Sequence, residues 1–242
     1  MTTPTQDILF LGFGSNRDEM LDTMDAINHV AARAVYRCIG YLDDDPAKWG
    51  MRRHDIPVLG GVDRAREYPN ALLLNTLARS NSIRIRPAVT QAAGLPPERY
   101  VTLIDPQATV ARSATIGRGC LLLPGARVGA SATLHDGVIL LQNTFVGHDS
   151  VVGMHTCFAP GAMSAGFSNI GPCCYIGMQS AIRESITIGE GCVVGLGSTV
   201  IQDVEPNCVV AGNPARILRR FDGPVSPDPA SWNEIRIETQ SI

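Results

Sequence analysis

From Ile104 to Val200 every sixth residue is aliphatic or aromatic: Ile104, Val110, Ile116, Leu122, Val128, Leu134, Leu140, Val146, Val152, Phe158 and, after Ser164, Ile170, Ile176, Ile182, Ile188, Val194 and Val200. Ser164 is the single exception, and no insertion resets the count. Four residues after most of these comes a small or apolar side chain, as at Ala108, Ala114, Cys120, Ala126, Ala132, Ala162, Cys174, Ser180, Cys192 and Ser198. Neither a helix (period 3.6) nor a hairpin strand (period 2) repeats in this way. One large and one small inward residue per hexad fits a parallel β-helix of triangular cross-section, with a short strand on each face and a turn at each corner. Glycines directly after many inward aliphatics, such as Gly129, Gly147 and Gly153, suit corners where a Cβ would crowd the next layer. Three hexads close one coil, so the run supplies about six coils stacked ~4.8 Å apart.

The remaining composition narrows the class of protein. The 242-residue chain is 45% hydrophobic, as in a soluble globular protein of one large or two modest domains. Its net charge is −3, and nineteen Arg and one Lys form no dense basic stretch, which argues against nucleic acid as a partner. No apolar run reaches the ~18 residues of a membrane span, and the N-terminus lacks a charged segment followed by an apolar core, so a cytoplasmic protein is expected. Seven cysteines include no CxxC pair, and Cys120, Cys174 and Cys192 fall in the small inward slot, where a thiol acts as a compact hydrophobe. No metal site is expected.

Before residue 100 the hexad rule is absent. Ile8 to Leu11 is a short apolar run entering Gly12-Phe13-Gly14-Ser15-Asn16, and residues 18–35 carry Met20, Leu21, Met24, Ile27, Val30 and Ala31 at helical spacing. Strands are expected at Arg37 to Leu42 and Ala71 to Asn75, and a helix at Ser82 to Ala93. That alternation predicts crossover units and a parallel sheet covered by helices, a Rossmann-like α/β domain over residues 1–98 with its ligand at the carboxyl ends of the strands. The β-helix then occupies residues 99–220 and is expected to close with a short helix at Asn213-Pro214, since Pro favours a first helical turn. Residues 221–242, rich in Pro and polar residues, form a tail.

Several residues bear on chemistry. Gly12-x-Gly14 is part of a dinucleotide fingerprint, but Arg17 stands where a third glycine belongs, and Asp43 comes 31 positions after Gly12 rather than the usual ~20. The loop therefore fits backbone N–H groups facing a phosphate or another polar ligand at a helix start better than it fits NAD. Asp43-Asp44, at the end of a strand, is placed to accept hydrogen bonds from a ribose or base, or is a solvated turn before Pro46. His148 is followed by Asp149, a carboxylate that can fix its ring tautomer, whereas His135 fills a slot usually taken by glycine or a small residue and His155 has no adjacent carboxylate. Gly166 lies one coil beyond His148, where the hexad rule lapses, and leaves space beside the imidazole.

Taken together, Ile8 to Asn16, Leu42-Asp43-Asp44, His148-Asp149, Gly161 to Gly166 and Gly212-Asn213-Pro214-Ala215-Arg216 resemble one family, the bacterial sugar acyltransferases of the PglD and NeuD kind. The resemblance covers residues 7–220 and implies a left-handed β-helix, a homotrimer, and acetyl-CoA bound between adjacent prisms. It implies further that His148 is the general base and Asp149 the neighbour that holds it. Gly14, Ser15, Asn16, Asp43 and Asp44 would hold a nucleotide-linked amino sugar, for which a pyrimidine nucleotide is expected, while Cys157, Gly166, Met178 and Leu196 would line the acetyl-CoA site. Two positions depart from the pattern: the loop reads Ser15-Asn16-Arg17 in place of Gly-His-Gly, and Cys157 replaces a histidine common nine residues after the base. The activity implied is acetyl transfer to the sugar amine. Rivals are O-acetylation of a sialic-acid-type sugar, a γ-type carbonic anhydrase with zinc on three histidines, and a non-catalytic assembly module on the same coils.

Overall fold

Alternation of side chains along the first strand decides how the N-terminal region packs. In the computed structural model, which describes residues 4–14, 17–223 and 225, β1 (Gln6–Leu11) sends Ile8 and Phe10 to one side of its sheet and Leu9 and Leu11 to the other. All four are fully buried, as expected for a central parallel strand covered on both faces. α1 (Arg17–Val30) follows, with Met20 and Met24 buried on the Ile8–Phe10 side, and then β2 (Tyr36–Leu42), parallel to β1. The sheet is completed by β3 (Arg52–Arg53), β4 (Ile56–Gly60) and β5 (Leu72–Asn75) in the order β3-β4-β2-β1-β5. Four of these strands run parallel, and β3 pairs antiparallel with β4 at the edge. The expected strands at 37–42 and 71–75 are present. The β3–β4 hairpin was not expected from the sequence, because Pro57 interrupts its short apolar run. The helix expected at 82–93 is a 3-10 turn, Ile83–Ile85, running into α2 (Arg86–Ala92); Pro87 sits in its first turn, where no N–H is needed.

Beyond the sheet, seventeen two-residue strands run from β6 (Leu103–Ile104) to β22 (Thr199–Val200), among the described residues, and every hexad position predicted to turn inward lies in one of them. They stack into three parallel sheets, one per prism face. Residues 18 apart are partners, as in Arg127↔Phe145↔Met163 and Val128↔Val146↔Ser164. The inward column from Leu122 to Val200 forms a continuous core, each aliphatic contributing roughly 1.5–3 kcal/mol by leaving water. Ser164 keeps the inward slot although it breaks the hydrophobic rule: it is fully buried, and among the described residues its hydroxyl has no hydrogen-bond partner.

The three corners form three edges, each read from backbone hydrogen bonds between layers. One edge carries Arg118, Asp136, Met154, Pro172 and Glu190; the second carries Pro124, Gln142, Pro160, Met178 and Leu196; the third carries Ala130, His148, Gly166 and Ser185. The face between the first and second edges turns Leu121, Ile139 and Cys157 outward, and these pack with Ile8, Phe10, Met20 and Met24 in one buried cluster. The N-terminal domain therefore sits on this face, and the His148 edge lies opposite it.

At the C-terminal end the expected capping helix is absent. β23 (Cys208–Gly212) extends the covered face in parallel with the Val193–Val194 strand, and β24 (Ala215–Arg220) folds back antiparallel on it. Asn213-Pro214 occupies the two-residue turn between them, with Gly212 at φ +103°. The hairpin wins because β23 finds a strand of the last coil to pair with, a long-range partner that no local helix signal reveals. Arg84 ties the two ends of the molecule together: it is 5% exposed, donates from Nη1 to the Gly191 carbonyl (2.9 Å) and Asn207 Oδ1 (2.7 Å) and from Nη2 to the Gly223 carbonyl, and stacks 4.5 Å over Phe221.

Candidate functional site

His148 stands at the turn after the Phe145–Val146 strand. Its main chain is pinned by the layer above, where Phe167 N–H donates to the His148 carbonyl at 2.9 Å, and Asp149 N–H donates to the Ala130 carbonyl at 2.8 Å. Asp149 has φ +55°, a left-handed conformation that Asp and Asn tolerate better than most residues. This turn brings the two side chains together: His148 Nδ1 is 2.8 Å from Asp149 Oδ2. A carboxylate only accepts, so Nδ1 carries the proton and Nε2 presents its lone pair. Nε2 points toward Gly166, where a Cβ would come within 2.6 Å of it. Phe167 meets the ring edge-on, centroids 5.0 Å apart at 86°. The pair is half exposed, as a group that must meet a substrate requires; Phe167, its aromatic neighbour, carried no signal in the hexad pattern.

Among the predicted acetyl-CoA residues, Met178 (49% exposed) and Leu196 (81% exposed) are adjacent on the second edge, and Phe145 and Met163 are exposed on the face between that edge and His148. Cys157 is elsewhere. It is fully buried beneath the N-terminal domain, its thiol 3.9 Å from the Ala78 carbonyl, and burial pushes its pKa up to about 12. Its position nine residues after His148 turns it onto the covered face, so direct contact with a ligand on the Met178 edge is blocked.

Two adjoining cavities open at the carboxyl ends of the first sheet. One, of about 430 Å³, is lined by Phe13, Gly14, Asp43, Lys48, Thr76, Leu77 and Arg79 among others; the other, of about 510 Å³, is lined by Gly12, Asp43, Asp44, Lys48, Val62, Leu77 and Val89 among others. Ser15 and Asn16 lie outside the described residues. Asp43 is 8% exposed and heavily used: Oδ2 accepts from Phe13 N–H (2.7 Å) and Lys48 Nζ (3.0 Å), and Oδ1 from Asp45 N–H (3.0 Å) and Lys48 Nζ (3.1 Å). Asp44 accepts from Val62 N–H at 2.7 Å, and burial, with Asp43 and Asp63 nearby, raises its pKa. The sequence pointed to Asp43 and Asp44 but not to Lys48, which is met only once the Pro46–Lys48 turn folds back on the strand end.

His155 differs from His148 in every respect. It lies on the first edge, against the N-terminal domain, where the fully buried Arg86 donates to its carbonyl at 3.1 Å. Burial and then the Arg86 charge hold its pKa down at about 3. The unfolded chain protonates this imidazole near its ordinary value and the folded chain does not, so the neutral form stabilises the fold above pH ~6.5 and that contribution falls away as pH drops toward 3. His155→Gln is expected to reduce the loss of unfolding free energy between pH 7.5 and 4.5 by about 2–3 kcal/mol, as read by urea denaturation at both pH values. An unchanged acid sensitivity would assign the effect to another group. Among the described residues no three His, Cys, Asp or Glu side chains converge as a metal site would, and no helix is long and apolar enough to cross a membrane.

Several known proteins are similar to this chain in sequence or fold. No protein-family profile matches the chain. It is 40% identical over 65 residues to a putative acetyltransferase, SAR2635, of Staphylococcus aureus (27% of this chain, 33% of that one). It is 45% identical over 65 residues to a chloramphenicol acetyltransferase of Agrobacterium fabrum (26% and 31%). The chain thus spans about a third of the length of the curated relatives it matches. The acetyltransferase domain of PglB from Neisseria gonorrhoeae, solved in complex with acetyl coenzyme A, aligns over 89% of this chain and 100% of its own at TM-score 0.72 and 26% identity. These relatives are acetyltransferases. PerB from Caulobacter crescentus, solved with CoA and GDP-perosamine, shares the fold at TM-score 0.75 and 22% identity, over 90% of this chain and 99% of its own.

Proposed function

We propose that this chain is an acetyl-CoA-dependent N-acetyltransferase acting on the amino group of a nucleotide-linked deoxyamino sugar, a cytoplasmic enzyme of the PglD and NeuD kind with a Rossmann-like first domain and a left-handed β-helix. The observation that carries the reading is the His148–Asp149 pair, 2.8 Å apart, with Nε2 open beside Gly166. The resemblance to an acetyltransferase domain solved with acetyl coenzyme A supports it. Nε2 takes a proton from the sugar amine as its nitrogen attacks the thioester carbonyl; a C–N bond forms, the C–S bond breaks, and the proton passes to the departing CoA thiolate. A positioned base contributes ~10²- to 10⁴-fold, and holding amine and thioester in contact contributes more.

Assembly is part of the proposal. His148 lies on the edge opposite the N-terminal domain, and Met178 and Leu196 lie on another edge, so no single copy brings base, sugar pocket and CoA surface together. A closed homotrimer sets the His148 edge of one copy against the Met178–Leu196 edge of the next and covers Phe145 and Met163. In the sugar pocket, Gly14 faces the phosphates, while Asp43 acts through the Phe13 N–H and Lys48 that it holds. A calorimetric panel of UDP, dTDP, GDP, CMP, NAD and CoA tests the reading: saturable binding of CoA and one nucleoside diphosphate is expected, and binding of NAD without CoA would overturn it. Acetyl transfer to paired amino and hydroxy sugars then separates N- from O-acetylation, and light scattering on the active species should return a trimer.

A further inference from the structure

The segment Asp43-Asp44-Asp45-Pro46-Ala47-Lys48-Trp49 puts three carboxylates at the mouth of a pocket proposed to take a diphosphate, and a fourth, Asp63, lies close enough to Asp44 to raise its pKa. Like charges so placed repel a phosphate. The chain answers with its only lysine. Asp45 accepts from Ala47 N–H at 3.1 Å and starts the Pro46–Lys48 turn; Trp49 Nε1–H donates to the Asp43 carbonyl at 2.8 Å and closes it. This loop folds Lys48 back so that its ammonium donates to both Asp43 oxygens, at 3.0 and 3.1 Å. Asp43 is itself held by the Phe13 and Asp45 N–H groups, so the ammonium has a fixed seat.

Lys48, Asp43 and Leu77 line both cavities, so the ammonium stands where the two meet. An ammonium has three N–H donors, and two are given to Asp43. Asp45 Oδ2 stands 3.7 Å from Nζ, an ion pair too long for a hydrogen bond, which leaves the third donor for a ligand in the cavities that Lys48 lines. Building on the nucleotide-sugar reading above, we propose that Lys48 binds the diphosphate of the sugar nucleotide directly: it keeps its two bonds to Asp43, donates the third to a phosphate oxygen, and offsets the Asp43 charge that would otherwise add to the repulsion of the ligand. Base and sugar then extend into the two cavities on either side of it.

The test separates a phosphate ligand from a brace for Asp43. Binding of UDP and GDP, and of uridine and guanosine, is measured by calorimetry on the full-length protein and on Lys48→Met and Lys48→Arg, with CoA binding as the measure of intact fold. For the base that the wild type accepts, Lys48→Met should weaken the diphosphate roughly 10- to 100-fold and leave the nucleoside within about twofold, while Lys48→Arg recovers part of the loss. Equal weakening of nucleoside and diphosphate would show that Lys48 only braces Asp43; unchanged diphosphate affinity would likewise overturn the proposal and leave the enzymatic reading standing. A wild type that binds CoA but none of UDP, GDP and dTDP would overturn both.

Discussion

Replacing His148 by alanine is expected to lower kcat for acetyl transfer at least ~10²-fold while acetyl-CoA affinity stays nearly unchanged, because a general base acts in the transition state rather than in ground-state binding. The geometry makes the expectation specific. Asp149 accepts the hydrogen bond of the protonated Nδ1, so the one basic nitrogen left to the ring is Nε2, on the side that Gly166 keeps open. Asp149→Asn should cost less than loss of the imidazole but more than a surface change, since an amide can donate as well as accept and no longer selects one tautomer. His135→Ala and His155→Ala should leave the chemical step largely intact. Near-normal turnover in His148→Ala would end the mechanism.

Gly166→Ala should inactivate the enzyme almost as strongly without unfolding it. The added Cβ would stand 2.6 Å from Nε2 and 2.7 Å from Cε1 of His148, and Phe167 packs against the same ring, so the imidazole must swing from its seat. A displacement of about 1 Å at a reacting group can cost ~10²-fold in rate. What clashes is the far end of a side chain, so the thermal transition should move little. Gly147→Ala makes the contrast: its Cβ would lie 2.3 Å from Ala165 C and 2.4 Å from Gly166 N, main chain against main chain between two layers of the prism. That variant should lose several kcal/mol of stability or fail to fold. Parallel kcat and melting measurements distinguish the two glycines, and a Gly166→Ala enzyme with wild-type kcat would show that Nε2 does not face the reaction.

The prism was legible because a solenoid is nearly one-dimensional: each hexad meets only its neighbours 18 residues away, so period alone assigns inside and outside, and even Ser164 keeps the slot that its position dictates. His148 and Asp149 were legible for the same local reason, being adjacent in one turn. What escaped the sequence depends on partners far along the chain. Cys157 resembled a groove residue by its spacing from His148, but the N-terminal domain, almost 80 residues earlier at Ala78, covers it. Pro214 has the local signature of a helix start, yet the segment after it folds back on Cys208–Gly212, which itself pairs with the Val193–Val194 strand. Lys48 gives no motif, and its seat on Asp43 exists only after the Pro46–Lys48 turn closes.

Stacked coils usually peel from their exposed ends, layer by layer, since each end layer has a neighbour on one side alone. Arg84 changes that for this molecule. Its guanidinium leaves the N-terminal domain and grips Gly191, Asn207 and Gly223 around the final coil, so that coil cannot open without stripping a buried cation of its acceptors. Fraying at the far end and release of the first domain thus become a single cooperative event. A ligand that tightens the first domain then slows amide exchange in the closing hairpin, at the opposite end of the sequence.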